Sequence, residues 1–350
     1  MKNKIAINGF GRIGRGAFKS IIEDHSGNLE VVAINDLSDP ESLVHLLKYD
    51  SVYGVYKNEV LYKKEDGEDF LVVKTKEEDF KIRLYAQKDP EGLPWGDLNV
   101  DVVLECTGIF RDYEGSRKHI TAGAKKVVIS APSKDPEKIP SFVLGVNEDN
   151  YDPEKDIIVD MGSCTTNCLA PVLKIIHEKY NIKSGVMTTI HSYTMGQNLL
   201  DGPHKDMRRA RAAAVNLVPT TTGAAKAVGR VIPELDGVIN GMAVRVPTPT
   251  VSVVDLVLVV DKETTKEDVN NTLEGSSKEE RLKSILKVEN RPLVSSDFVG
   301  SSYSSIVDAD ITDVKDNLIK IFSWYDNEWG YSCRLADFAK YISNNSHDSK

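Results

Sequence analysis

Residues 4–14 constrain the fold more than any other stretch. A short apolar run, Lys4-Ile5-Ala6-Ile7-Asn8, leads into Gly9-Phe10-Gly11-Arg12-Ile13-Gly14, a G-x-G-x-x-G, and then into helix-compatible residues 15–23. A second apolar run, residues 29–34, ends in Asn35-Asp36. Glycines at these places permit a tight turn and a close backbone approach to a pyrophosphate resting on the helix N-terminus. Asp36, 22 residues past Gly14, falls where a carboxylate accepts from both ribose hydroxyls. Chance glycines in a turn leave the place of Asp36 unexplained, so this order predicts a dinucleotide site. The carboxylate would repel a 2′-phosphate, and Leu37 and Ser38 bring no cation to offset it. NAD is therefore expected over NADP.

Residues 55–86 read as antiparallel strands, with Asp66-Gly67 as a hairpin turn. Residues 99–105 and 126–130 read as buried parallel strands of an α/β sheet. The loops after them, Cys106-Thr107-Gly108 and Ala131-Pro132, fall at the carboxyl edge, where ligands of doubly wound sheets bind. Residues 147–155, polar and containing Pro153, approach a domain boundary.

Near the middle of the chain stands Gly162-Ser163-Cys164-Thr165-Thr166-Asn167-Cys168, directly before apolar residues 169–176. Leu169, Val172 and Ile176 recur at helical spacing, which puts Cys164 at or near a helix N-terminus. Unsatisfied N–H groups and the positive dipole end are expected there to favour thiolate over thiol. Pro171 lies inside the pattern, so the helix either kinks there or starts later. The plainer alternative is a buried, inert cysteine. Cys168 could share a face with Cys164, but no second Cys or His pair at ligand spacing accompanies them, so no metal is expected. Cys106, Cys164, Cys168 and Cys333 form no disulfide framework, which fits a reducing cytoplasm.

In the second half the pattern changes. Residues 186–193, 238–246, 251–260 and 318–324 read as strands, with 251–260 lacking alternation and so buried on both faces. Residues 265–273 and 278–286 read as helices. Residues 334–342 read as a closing helix with Leu335, Phe338, Ala339 and Ile342 on one face. Few helices separate the strands, so a mostly antiparallel sheet is expected. A chain of 350 residues can bury two cores. The expected fold class is an α/β Rossmann-type dinucleotide-binding domain plus an α+β catalytic domain. The first spans residues 1–163 and is completed by a C-terminal helix at 327–350; the second spans 164–326.

His191 follows the strand that begins at residue 186. Alone it reads more readily as a structural group than as a base, but a Cys–His pair activates the thiol and stores its proton. Residues 204–211 hold Lys205, Arg208, Arg209 and Arg211, either a solvated basic loop or an anion site or subunit contact. The net charge of -9 argues against nucleic acid as a primary partner. No apolar run approaches membrane-spanning length, and the chain enters its first strand with no signal peptide. Residues 343–350 are polar and expected to fray.

Five stretches are specific enough to suggest a family. They are residues 8–15, 163–171 (Ser-Cys-Thr-Thr-Asn-Cys-Leu-Ala-Pro), 222–227 (Thr-Gly-Ala-Ala-Lys-Ala), 245–249 (Arg-Val-Pro-Thr-Pro) and 324–331 (Trp-Tyr-Asp-Asn-Glu-Trp-Gly-Tyr). They closely resemble the phosphorylating glyceraldehyde-3-phosphate dehydrogenases, and the resemblance runs from Lys4 to about Ile342. It implies that Cys164 attacks the aldehyde of glyceraldehyde 3-phosphate, that the thiohemiacetal passes hydride to NAD, and that inorganic phosphate cleaves the resulting thioester. His191 matches the family base. Thr194 and Arg245 match the site for the substrate's own phosphate, and Ser163, Thr165, Thr222 and Gly223 the site for the attacking phosphate. The expected cofactor set is Gly9, Phe10, Gly11, Arg12, Ile13, Gly14, Asn35, Asp36, Lys88, Thr107, Ser130, Asn327 and Tyr331. Within it Asn327 holds the nicotinamide carboxamide, so the C-terminal helix should pack back on the first domain. Residues 191–216 resemble the family's long loop that lines a neighbouring subunit's cofactor site, which implies a homotetramer.

Three departures stand out. The chain reads Asp160-Met161-Gly162-Ser163 where the family usually has Ser-Asn-Ala-Ser. Gly196 replaces an Asp or Thr near the substrate phosphate, and Lys88 stands where Arg is common. An erythrose-4-phosphate dehydrogenase would share the nucleophile but hydrolyse its thioester; Ser192-Tyr193-Thr194 and residues 202–206 look like the glyceraldehyde enzyme instead. A catalytically inactive dinucleotide- or RNA-binding regulator is opposed by the intact Cys164, His191 and phosphate residues and by the acidic charge.

Overall fold

The computed structural model of the chain describes residues 2–345. Among them the chain divides into two compact units. One comprises Tyr151–Met161 and the described parts of Met1–Ser141 and Ser332–Lys350; the other comprises Phe142–Asn150 and Gly162–Tyr331. These seams lie at 161/162 and 331/332, whereas the sequence placed them at 163/164 and 326/327. Phe142–Asn150 belongs with the second unit because Arg281 Nη2 donates to the Gly145 carbonyl at 2.8 Å and Gly145 packs on Leu282 and Ile285.

The first unit begins with β1 (Asn3–Asn8), α1 (Arg12–Ser20) and β2 (Leu29–Asn35). Then come β3 (Glu59–Glu65), β4 (Glu68–Lys74) and β5 (Asp79–Tyr85). The rest of its sheet is β6 (Val102–Glu105), β7 (Lys126–Ile129) and β8 (Ile158–Asp160), with helix α2 (Tyr113–Thr121) between β6 and β7. The order is β8-β7-β6-β1-β2-β5-β4-β3. All neighbours are parallel except β3/β4 and β4/β5. β3 and β4 turn through Asp66 and Gly67, both at positive φ, the two-residue hairpin expected of an Asp-Gly pair. The chain leaves β1 toward β2 and later returns to its other edge as β6. That reversal opens a crevice at the carboxyl ends of β1 and β6.

The second unit begins with α3 (Cys164–Tyr180), β9 (Ile182–Ser192), β10 (Val218–Thr221) and α4 (Ala224–Val231). It continues with β11 (Ile239–Val246), β12 (Ser252–Val260), α5 (Lys266–Ser277), β13 (Leu286–Glu289), β14 (Ser305–Asp308), β15 (Asp313–Lys315) and β16 (Leu318–Tyr325). The sheet order is β10-β11-β9-β12-β16-β14-β13, with β15 also on β16. The pairs β9/β11 and β13/β14 are parallel and the rest antiparallel.

α3 starts at Cys164, as the apolar spacing implies, and continues through Pro171. Two expectations are corrected. Residues 278–285 are a chain of turns rather than a helix; only Lys283 and Leu286 donate four residues back, to Glu279 and Leu282. β12 is fully buried on one face only, because the other carries half-exposed Asp255, Val257 and Val259, with Asp255 paired to Lys320 at 3.1 Å.

The last helix, α6 (Trp329–Asn345), buries Leu335, Phe338, Ala339 and Ile342. From Ser332 onward it belongs to the first unit, where Ser332 Oγ donates to the Ile13 carbonyl at 3.4 Å. Residues 343–345 continue this helix, while the remainder of the stretch expected to fray, 346–350, lies outside the described residues. Among the described residues no helix is long and apolar enough to cross a membrane.

Candidate functional site

At the carboxyl ends of β1, β2, β5 and β6 lies a cleft of about 680 Å3, lined by Gly9, Gly11, Asn35, Asp36, Lys88 and Thr107 among others. Gly9 has φ +91°, and a Cβ there would stand 2.7 Å from the Thr107 nitrogen. Only glycine lets the end of β1 meet the end of β6 this closely. A Cβ on Gly14 would collide with the Gly9 carbonyl, whereas Gly11 faces open space. Gly11 gives α1 no side-chain cap, so the first-turn amides are what this helix presents to an anion. Asp36 Oδ2 accepts from the Phe10 N–H at 2.8 Å and Oδ1 from the Ser38 N–H at 2.9 Å. This fixes the carboxylate against the glycine turn at the cleft wall. These residues fit a dinucleotide.

Other members of the expected cofactor set lie outside the cleft lining. Phe10 is buried and contributes its amide rather than its ring. Arg12 pairs with Asp50 at 2.5 Å and stands over the Tyr53 ring. Ile13 packs by its carbonyl on Ser332, and the Ser130 N–H donates to the Glu105 carbonyl at 3.0 Å. Asn35 lines the cleft, yet both ends of its amide are engaged: Nδ2 donates to Asn8 Oδ1 and to the Gln87 carbonyl, and Oδ1 accepts from the Gln87 N–H.

In the second unit Ser163 caps α3, its hydroxyl accepting from the Thr166 N–H at 3.1 Å. Cys164 is the first residue of the helix, and its Sγ lies 3.5 Å from His191 Nε2. The expected thiolate is not what this site favours. Burial pushes the Cys164 thiol above its ordinary range, outweighing the Arg245 charge, the Thr165 hydroxyl and the N-terminal amides that pull the other way. Burial, then Arg245, push His191 down to about 3. Both shifts oppose a thiolate–imidazolium pair, although Cys164 as a whole residue keeps intermediate exposure.

The strand pairing that delivers His191 also delivers Arg245, directly opposite it in the parallel β9/β11 register. Arg245 Nη1 lies 2.6 Å from His191 Nδ1 and 3.0 Å from the Ser192 carbonyl, which is itself 2.7 Å from Nδ1. The buried Arg245 Nε has no partner. A further residue, absent from the sequence-derived set, completes this pocket. Tyr325 stands edge-on to the His191 ring at 6.0 Å, and its hydroxyl shares bonds with Thr165 at 2.9 Å and Thr189 at 2.8 Å. The 324–331 motif contained it, but nothing in that motif pointed to contacts more than a hundred residues away.

The remaining expected residues have local partners. Thr222 Oγ1 accepts from the Ala224 N–H at 3.2 Å, and exposed Gly223 is the N-cap of α4. Asn327 Oδ1 accepts from Ser252 Oγ at 2.9 Å, so its NH2 end is the one suited to a ligand carbonyl. Tyr331, expected at the cofactor, donates to the Gly162 carbonyl at 3.0 Å and so anchors the turn before the nucleophile. A Cβ on Gly196 would lie 3.7 Å from Thr194 Oγ1 and 3.8 Å from Arg209 Nη1. Arg209 thus emerges from the basic loop as a second cation beside Gly196. Asp160 accepts from the Ser133 N–H at 3.0 Å within the first unit. Among the described residues no cluster of His, Cys, Asp and Glu could hold a metal.

Two family profiles match the chain. Residues 3–113 match one described as glyceraldehyde 3-phosphate dehydrogenase, NAD binding domain, and residues 163–327 match one described as the C-terminal domain of the same enzyme. A glyceraldehyde-3-phosphate dehydrogenase of Geobacillus stearothermophilus is 53% identical over 344 residues, covering 98% of this chain and 99% of its own. One from Priestia megaterium is 53% identical over the same span. Glyceraldehyde-3-phosphate dehydrogenase 2 of Trichormus variabilis is 50% identical over 341 residues, covering 97% and 98% of the two chains. The chain belongs to the glyceraldehyde-3-phosphate dehydrogenase family.

Proposed function

We propose that this enzyme oxidises D-glyceraldehyde 3-phosphate with NAD and inorganic phosphate to 1,3-bisphosphoglycerate, a step of glycolysis and gluconeogenesis. The observation that carries the reading is the Cys164 thiol at a helix start, 3.5 Å from His191 Nε2, with Arg245 Nη1 2.6 Å from the other ring nitrogen. His191 Nε2 takes the thiol proton as Sγ bonds to the aldehyde carbon, and returns it to the carbonyl oxygen, giving a thiohemiacetal. Bound NAD supplies the hydride acceptor. As hydride leaves the substrate carbon, His191 removes the hydroxyl proton and a Cys164 thioester results. Phosphate oxygen then bonds to the acyl carbon, the C–S bond breaks, and His191 reprotonates the sulfur.

For Nε2 to act as base, Nδ1 must carry the proton and donate to the Ser192 carbonyl. The same nitrogen cannot also accept from Arg245. Drawing Arg245 onto the substrate's phosphate, with Thr194, relieves that conflict and couples phosphate recognition to activation of the base. Ser163, Thr165, Thr222 and Gly223 receive the attacking phosphate: hydroxyls and backbone amides suit an anion. In the cleft Asp36 reads the ribose, and the NH2 end of Asn327 suits a carboxamide carbonyl such as that of nicotinamide.

A homotetramer is supported by the exposed apolar side chains of Met195, Leu199, Leu200, Met207 and Val215 on one loop, a pattern that marks an interaction surface. Free cysteines are consistent with the cytoplasm. The test is a spectrophotometric assay for reduced nicotinamide with glyceraldehyde 3-phosphate. Sustained turnover should require phosphate; equal turnover without it would favour a hydrolytic, erythrose-4-phosphate-type enzyme instead.

A further inference from the structure

Beneath the cleft the first unit buries a carboxylate that the reaction does not use. Glu105, Asn8, His119 and Trp95 are each at most 1% exposed. Donor directions in this network are set from both ends. The Trp95 indole N–H can only donate, and it donates to His119 Nδ1 at 3.0 Å. The His119 proton therefore sits on Nε2, which donates to Glu105 Oε2 at 3.1 Å. At the other end the Gln87 backbone fixes the Asn35 amide, with its N–H on Oδ1 and its carbonyl on Nδ2. Asn35 Nδ2 also donates to Asn8 Oδ1 at 2.7 Å, which turns the Asn8 NH2 onto Glu105 Oε2 at 2.6 Å. Glu105 Oε1 accepts from the Thr107 N–H at 2.8 Å and from the Thr107 hydroxyl. Four donors converge on one side chain, and an ionised carboxylate is the group that accepts from all of them.

Asn8, Asn35, Gln87 and Thr107 line the cleft, whereas Glu105 and His119 lie beneath it. We propose that Glu105 is a positioning residue for the dinucleotide. It ties the ends of β1 and β6 together and orients Asn8 and Thr107, so the cleft is formed before the cofactor arrives. The proposal rests on the reading of this cleft as the NAD site.

Glutamine at position 105 keeps the size but turns an NH2 toward neighbouring donors in either orientation. Neither side adapts. The His119 proton cannot move to Nδ1, which faces the indole N–H, and Asn8 cannot flip without setting its NH2 against that of Asn35. At position 119, leucine removes a donor to Glu105. Glutamine there can still accept from Trp95 and donate to Glu105.

Titration calorimetry on the full-length, cofactor-free protein measures binding of NAD and of AMP, the latter held from the Asp36 side. The parent must bind NAD; a parent that does not would sink the cleft reading itself, separately from the role of Glu105. Glu105→Gln and His119→Leu should each raise the Kd for NAD about tenfold, the usual consequence of a mismatched buried donor. AMP should bind as in the parent, and His119→Gln should restore NAD affinity. The His119 pair keeps the test decisive if Glu105→Gln does not fold. Parent-like NAD affinity in His119→Leu with a lowered Tm would make the network a stability element and overturn the proposal. Equal weakening of NAD and AMP, or no recovery in His119→Gln, would overturn it as well.

Discussion

The dinucleotide cleft and the thiol pocket are built by different means. The cleft is largely backbone: a turn only glycine can make at Gly9, open space at Gly11 and the first amides of α1. The pocket is side chains delivered by separate elements, with Cys164 from a helix start, His191 and Arg245 from paired strands, and Tyr325 from a third strand. Both sites use a helix N-terminus, yet to different effect. In the cleft those amides are left open to an anion, whereas at Cys164 burial opposes them and pushes the thiol up. A helix N-terminus favours an anion only where desolvation does not cost more. The nucleophile therefore depends on its base, and the cofactor site should not.

Substitutions at the catalytic pair should separate the two sites most sharply. Cys164→Ser should remove nearly all turnover with NAD affinity unchanged, since a serine hydroxyl is a far weaker acid and nucleophile than a thiol. His191→Asn should slow acylation by roughly two to four decades, again without weakening NAD. Calorimetry beside stopped-flow kinetics checks both, and a parallel loss of NAD binding would contradict the independence of the sites.

Arg245→Leu should lower the preference for glyceraldehyde 3-phosphate over unphosphorylated glyceraldehyde by about ten- to a hundredfold, the worth of a charged contact. Equal losses on both aldehydes in steady-state kinetics would remove Arg245 from the phosphate site. Gly196→Thr, whose Cβ meets Thr194 and Arg209 at ordinary contact distance, should tighten the phosphorylated substrate by less than the arginine's loss costs.

Within the cleft, Gly9 and Gly11 should part company. Gly9→Ala must adopt a disfavoured positive φ and press on Thr107, so Tm and NAD affinity should fall together, with strain of about 1–3 kcal/mol. Gly11→Ala meets open space and should leave Tm alone while weakening NAD, because its methyl enters the space expected to take the pyrophosphate. Matched Tm losses in the two variants would contradict the backbone account.

The smallest effect is on stability against pH. His191 has its folded pKa depressed to about 3, below its unfolded value near 6.5. As pH falls between these values the unfolded chain takes up a proton that the folded chain refuses, so stability falls with pH across that window. Denaturation of the cofactor-free protein at several pH values should show a shallower fall in His191→Asn than in the parent; identical slopes would mean that His191 is not held neutral.

The difference between the sites also explains what the sequence let one read. Gly9, Gly11, Gly14 and Asp36 follow a fixed local spacing, so the cleft could be placed from one unit of chain. Cys164 and His191 could be nominated singly, but their meeting depends on how α3 and β9 pack. The Glu105 network was invisible because it joins Asn8, Trp95, Glu105 and His119 from four elements, with no periodicity to announce it. Tyr325 was passed over for the same reason, and Arg209 could be named only as one of several cations in a basic loop. Residues 278–285 failed differently: their apolar spacing resembles a helix, yet the chain turns repeatedly before entering β13.

The most direct test follows a single turnover without phosphate. Mixing the enzyme with NAD and glyceraldehyde 3-phosphate, quenching, and mapping the peptides by mass spectrometry should find the acyl group on Cys164. Reduced nicotinamide should appear once per active site and then stop until phosphate is added. Steady turnover without phosphate, or an acyl group on any residue other than Cys164, would contradict the account.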